Sequence, residues 1–234
     1  MKTLKSVLRA LLALLGVFIA VVLLYQVWIL GHILWWNTHN PTSTAFMEDR
    51  LEALRAKDSK AGLRHQWVPY EKISVHLKRA LIVSEDDTFV DHEGFNWEAM
   101  QKALEKNQKK GKVVAGGSTI SQQLAKNLFL SGSRSFVRKG EEAVITLMLE
   151  NTMDKKRILE IYMNVIEWGE GVFGAEAAAR HYFGVSAAQL SREQAAKLAA
   201  MVPRPRFYDR NRNAPWLLKK TDIILSRMHT AEVP

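Results

Sequence analysis

The stretch GGSTISQQLAKNLFL, Gly116–Leu130, decides the fold class of this chain. Thr119, with Gln122 three residues later, makes a capping box, a local signature of a helix start. Wound at about 100° per residue, the helix puts Ile120, Leu124, Ala125 and Leu128 on one side. Gln122, Gln123, Lys126 and Asn127 fall on the other. A solvated helix face ordinarily mixes Glu with Lys. Amides and a single cation instead suit sugar hydroxyls and phosphate oxygens, although an uncharged surface face has the same composition.

Helical spacing continues in both directions. It predicts helices over Met47–Lys57, Ile73–Ser84, Trp97–Asn107, Ile120–Leu130, Arg138–Met153 and Lys155–Val165. A further helix over Ser191–Met201 opens with the capping box Ser191/Gln194 and stops before Pro203. The basic, Gly-bearing segment QKKGKVVAGGS (Gln108–Ser118) reads as a mobile loop. Strand-like alternation is nearly absent and no internal repeat is visible. The class is mainly α.

The amino terminus sets the compartment. From Ala10 to Trp36 the chain has no Asp, Glu, Lys or Arg, and that run exceeds the roughly 20 apolar residues a bilayer core requires. Lys2, Lys5 and Arg9 precede it, whereas NTHNPTSTAF after Trp36 carries no Lys or Arg. The positive-inside bias therefore predicts a cytoplasmic tail at 1–9, a transmembrane anchor at 10–36 and an exported domain at 37–234. A cleaved secretory signal fits less well, because the run is too long and no small-x-small site follows it. The chain has no cysteine, so it has neither a disulfide framework nor thiol chemistry. Of its net charge of +9, three units sit on the tail and six on the remainder. Export argues against nucleic acid as the partner of this basic domain and in favour of the lipid bilayer or a phosphorylated substrate.

Two further stretches carry candidate chemistry. SEDDTFVDHEGF, Ser84–Phe95, gathers acids in a basic chain. It does not fit the EF-hand frame, and His92 stands without a second histidine at zinc-binding spacing. Glu85 and Asp86 read either as a solvated helix end or as a carboxylate at the mouth of a buried helix, placed for proton transfer. In RSFVRKGEEAVITLMLE, Arg134–Glu150, the residues Arg138, Lys139 and Glu142 share one face at the entrance of an apolar helix. They form an intrahelical ion pair, or they join Lys126 and Arg134 as a cationic cluster with a task. Glu160 reads as a surface pair with Lys156, and Glu167 and Glu170 as solvated loop acids. A base, amides for a sugar and cations for a leaving group that needs no proton suit glycosyl transfer from a lipid pyrophosphate. A glycosidase needs a carboxylic acid to protonate a neutral leaving alcohol instead. A lytic glycosidase and a non-enzymatic scaffold remain the rival readings.

Five segments together resemble the peptidoglycan glycosyltransferases. They are ED-x-x-F-x-x-H-x-G at Glu85–Gly94, G-x-STI-x-QQ-x-x-KN at Gly116–Asn127, RK-x-x-E at Arg138–Glu142, KKRILEIYMN and GVFGAEAAARHYFG. The likeness runs from about Ile73 to Pro205, and the single anchor and short chain are similar to the monofunctional members. Neither S-x-x-K nor K-T-G, the signatures of a penicillin-binding domain, occurs. The resemblance implies a lysozyme-like glycosyltransferase domain that polymerises lipid II into a growing glycan strand at the periplasmic face of a bacterial inner membrane. It implies Glu85 as general base, Glu142 as a second essential carboxylate beside Arg138 and Lys139, and Lys126 and Arg134 at the donor pyrophosphate. It places Ser118, Gln122 and Gln123 in the sugar cleft, with Thr119 and Asn127 in the same motif. Asp86 would position the base, and Phe89, His92 and Gly94 would shape its loop. A divalent ion, magnesium or manganese, is implied at the pyrophosphate, with ligands the sequence does not reveal. Cell-wall synthesis or division proteins are the partners such an enzyme would meet. Asp87 departs from the family, where a basic residue is common.

Overall fold

The computed structural model describes residues 2–112, 116–130 and 135–234, which fall into two compact units divided after His39. Arg134 and the loop residues 113–115 lie outside the described residues.

The first unit is one helix, α1 (Lys2–Trp36), followed by a short turn. Its segment Leu4–Trp36 is long and apolar enough to cross a membrane. The helix begins well before residue 10 because Lys5 and Arg9 are good helix formers and nothing between them and the apolar run breaks the spacing. Leu11, Leu14, Val17, Phe18 and Leu24 are exposed around its circumference, as a lipid-facing helix requires.

The second unit is mainly α. Its helices are α2 (Ala45–Arg55), α3 (Val75–Glu85), α4 (Trp97–Lys110), α5 (Ile120–Phe129), α6 (Phe136–Thr152) and α7 (Lys155–Val165), then α8 (Ala175–Phe183), α9 (Arg192–Met201), α10 (Pro205–Arg210) and α11 (Pro215–Arg227). Side-chain caps fix most of their starts. Thr44, Ser74, Asn96, Ser135 and Asp154 each accept a hydrogen bond from a backbone N–H in the first turn, and Thr119 and Ser191 complete capping boxes. Pro205 and Pro215 open α10 and α11, where a missing N–H costs nothing. The helices α8, α10 and α11 had no counterpart among the sequence expectations.

Three short strands also went unpredicted: β1 (Arg64–His65), β2 (Glu167–Gly169) and β3 (Val172–Phe173). β3 is central, parallel to β1 and antiparallel to β2. Strands of two or three residues show no alternation to detect. Their pairing joins segments a hundred residues apart.

In the core, α9 packs between α3 and α11, while α5 packs on α6 and α7. Leu77, Leu81, Phe89, Ile120, Leu124, Tyr162, Trp168 and Phe173 are fully buried there. Two helix ends matter most for the site: the carboxyl end of α3, which carries Glu85, and the amino end of α5.

Candidate active site

The loop after α3 is built around Asp86. Its Oδ1 accepts from His92 Nε2 at 2.9 Å, and its Oδ2 accepts from the backbone N–H of Ile120 at 3.0 Å. His92 Nδ1 in turn accepts from Gly94 N–H at 3.1 Å, which leaves the imidazole proton on Nε2, facing Asp86. Both oxygens of Asp86 are thus engaged and the side chain is buried, so it positions the loop and caps α5. Phe89 is fully buried and lies edge-on to His92, with rings 6.4 Å apart. Gly94 has φ +90°, and a Cβ there would meet Thr146 Cγ2 at 2.8 Å, so the loop's close approach to α6 requires glycine. Asp91 and Glu93 are solvent-exposed.

Glu85, one residue earlier, faces the opposite way. Gln123 Nε2 donates to its Oε2 at 3.0 Å, and Ser84 Oγ donates to its Oε1 at 3.0 Å. Tyr162 fixes the amide's orientation by donating its hydroxyl to Gln123 Oε1 at 3.0 Å. Burial pushes the Tyr162 phenol well above its ordinary value, with Glu85 and Asp86 adding to the effect, so it stays a donor. Lys220 of α11 brings its Nζ to 3.7 Å from Glu85 Oε1. Burial holds this lysine below the usual 10.5, partly offset by Glu85. Sequence reasoning missed Lys220. The available signal is its place on the buried stripe of α11, three residues after Leu217 and four before Ile224. Asp87 is exposed and pairs with Arg227 at 3.2 Å.

The polar face expected on α5 is divided by burial. Gln122 is spent on the capping box, its Oε1 accepting from Thr119 N–H at 3.1 Å, and is buried. Thr119 Oγ1 donates to Gly94 O at 2.7 Å and is buried too. These two side chains, with Asp86 and Phe89, build the wall; Gln122, expected to line the sugar cleft, is buried and spends its side-chain oxygen on the cap. Gln123, Lys126 and Asn127 line a cavity of about 710 Å³. Ser118 is exposed and lines a second cavity of about 210 Å³, together with Glu85. Gln123 therefore stands between the two: its side chain lines the first and holds the carboxylate that lines the second.

Cations dominate the larger cavity. Glu142, buried on α6, binds Arg138 at 3.2 Å and also binds Lys139. Lys126 lies within electrostatic reach of Glu142, Arg138, Lys139 and Glu85, and burial holds its ammonium below the usual value of 10.5. Arg50, Arg204, Arg206 and Arg210 extend the cationic lining. Glu167, expected as a solvated loop acid, is buried on β2 and binds Arg50 at 3.3 Å and Arg206 at 3.8 Å. Burial raises its carboxyl above the ordinary value, against the pull of the two arginines. Glu160 likewise departs from expectation. It pairs with Arg157 at 2.8 Å, while Lys156 reaches Glu71 instead, at 2.6 Å.

Among the described residues, no group of three His, Cys, Asp or Glu side chains converges to hold a metal ion. Glu142, the carboxylate nearest the cationic cluster, is already bound by two cations. Among the described residues, the side chains do not converge into a three-ligand site for magnesium or manganese.

The transglycosylase family model matches residues 52–229. Proteins described as biosynthetic peptidoglycan transglycosylases are similar along nearly the whole chain. One from Nitrosospira multiformis is 66% identical over 93% of this chain and 94% of its own length. The corresponding figures are 65%, 96% and 95% for one from Dechloromonas aromatica. For one from Chromobacterium violaceum they are 62%, 97% and 99%.

Proposed function

Because the chain belongs to the transglycosylase family and is a glycosyltransferase of peptidoglycan synthesis, we propose that it polymerises lipid II with Glu85 as general base. The observation that carries this reading is the position of Glu85. It lies in the smaller cavity, tied through Gln123 to the larger cationic one. A base in one chamber, held by an amide that lines the next, suits the joining of two sugars.

In the proposed step the acceptor N-acetylglucosamine occupies the Glu85 side and the donor N-acetylmuramic acid the cationic side. Glu85 takes the proton of the acceptor 4-hydroxyl as its oxygen bonds to C1 of the donor, from the face opposite the leaving group. The C1–O bond breaks, its electron pair goes to undecaprenyl pyrophosphate, and the anomeric centre inverts from α to β. The leaving group departs as an anion and needs no proton. Lys126, Arg138 and Lys139 stabilise the appearing charge, with Arg134 assigned beside them by resemblance. Glu142 acts through its cations by fixing Arg138 and Lys139 in place. A divalent ion would enter with the diphosphate oxygens and not on protein ligands. The basic tail of α1 and its apolar length support a single-pass anchor that keeps the domain at the periplasmic face, where a lipid-borne substrate resides.

Purified protein incubated with lipid II should yield long glycan strands, and Glu85→Gln should lower that rate by at least about 100-fold, the usual weight of a general base. Release of muropeptides from finished peptidoglycan, without polymer from lipid II, would support the glycosidase reading. Undiminished polymerisation by the Gln variant would remove Glu85 from its role.

A further inference from the structure

The larger cavity is lined by more cations than a diphosphate requires, and at its edge two carboxylates each hold a pair of cations in the same way. In one, buried Glu142 grips Arg138 and Lys139 on α6. In the other, buried Glu167 grips Arg50 of α2 and Arg206 of α10. Neither carboxylate is needed to solubilise its partners, which already reach solvent. A buried acid that orders two cations is costly by itself, and it makes sense where those cations must be held for an incoming anion. Arg50 of the second group and the neighbouring Arg204 are also stacked in place. The Arg50 guanidinium lies 4.5 Å from the Phe46 ring centre and that of Arg204 lies 4.4 Å from Phe207. Among the described residues, the Arg204 guanidinium has no carboxylate or carbonyl partner. Glu167 keeps one buried oxygen, Oε1, without a hydrogen bond. The second group is made of arginines alone, with forked donors that match planar carboxylates in pairs.

We propose that Arg50, Arg204 and Arg206 form a carboxylate-binding subsite for the peptide stem of the muramyl donor, with Glu167 as the residue that positions two of them. The inference rests on lipid II being the substrate. With the diphosphate met by Lys126, Arg138 and Lys139, the donor's remaining anions are the carboxylates of the short peptide on its lactyl group. The arginines would thus read a part of the substrate that takes no part in bond making. Their contribution appears in binding more than in the chemical step.

The test compares two forms of lipid II, one with free stem carboxylates and one with those carboxylates amidated, using full-length protein in neutral detergent. Neutral detergent removes anionic lipid as a competing ligand. Arg204→Ala/Arg206→Ala should raise KM for the free-carboxylate substrate about tenfold, the weight of a lost charge-assisted contact, and leave kcat within about twofold. The same variant should shift KM for the amidated substrate by less than about twofold. Glu167→Gln should show the same selective rise at smaller amplitude. Lys126→Ala, at the diphosphate, should impair both substrates alike. Equal KM increases for the two substrates in the arginine variant would assign these residues to the diphosphate and overturn the subsite. Unchanged KM for both would overturn it as well. Wild-type protein that polymerises neither substrate would refute the lipid II reading, and the subsite with it.

Discussion

Lys126 shows how one residue's environment sets a measurable limit on the reaction. Burial holds its ammonium below the 10.5 of an exposed lysine, so its proton leaves at lower pH and takes with it a cation facing the leaving diphosphate. Polymerisation kcat/KM should therefore decline on the alkaline side before pH 10.5, and Lys126→Arg should move that decline upward. A profile flat through 10.5 in the wild type would detach Lys126 from the reaction. For stability the sign is the reverse. The folded chain sheds this proton before the unfolded chain does, so between the lowered value and 10.5 the unfolded state binds more protons and stability rises with pH. At this scale the sequence was informative about residue type and poor about direction. The motifs holding Glu85, Gln123, Lys126 and Glu142 could be picked out because they are short and local, and the fold brings Glu85 to Gln123. Gln122 was misplaced because a helix wheel cannot tell a side chain facing solvent from one folded back on a backbone N–H. Lys220 went unread and Glu167 was read as solvated because their partners lie far along the chain.

Among the elements, α5 bears most on the site, since it supplies Gln123, Lys126 and Asn127 to the cleft. Its first turn is satisfied twice, by Thr119 on Gln122 N–H and by Asp86 on Ile120 N–H. Thr119→Ala removes the cap and the 2.7 Å bond to Gly94 O. It should cost about 1–3 kcal/mol in urea unfolding of the full chain. A loss below about 0.3 kcal/mol would mean that Asp86 alone holds the helix start. Helices with such caps were readable in advance, and α7 came out with both ends as expected, Lys155 and Val165. The short strands and the helices α8, α10 and α11 were not, because their definition depends on packing partners more than on local chemistry.

The molecule as a whole assembles the surroundings of the proposed base from three places. α3 provides Glu85, α5 the amide of Gln123, and α11 the ammonium of Lys220. Lys220→Met should lower kcat about tenfold, equivalent to about 1.4 kcal/mol in the barrier, while Lys220→Arg retains most of the rate. Equal turnover in all three proteins would show the pair to be idle in catalysis. The tertiary origin of this contact also bears on how the enzyme comes to life. If the domain is exported behind the proposed anchor, residue 85 emerges long before residue 220, so a half-emerged chain would lack the Glu85–Lys220 contact. On the proposed mechanism, glycan synthesis would then wait until export is almost finished.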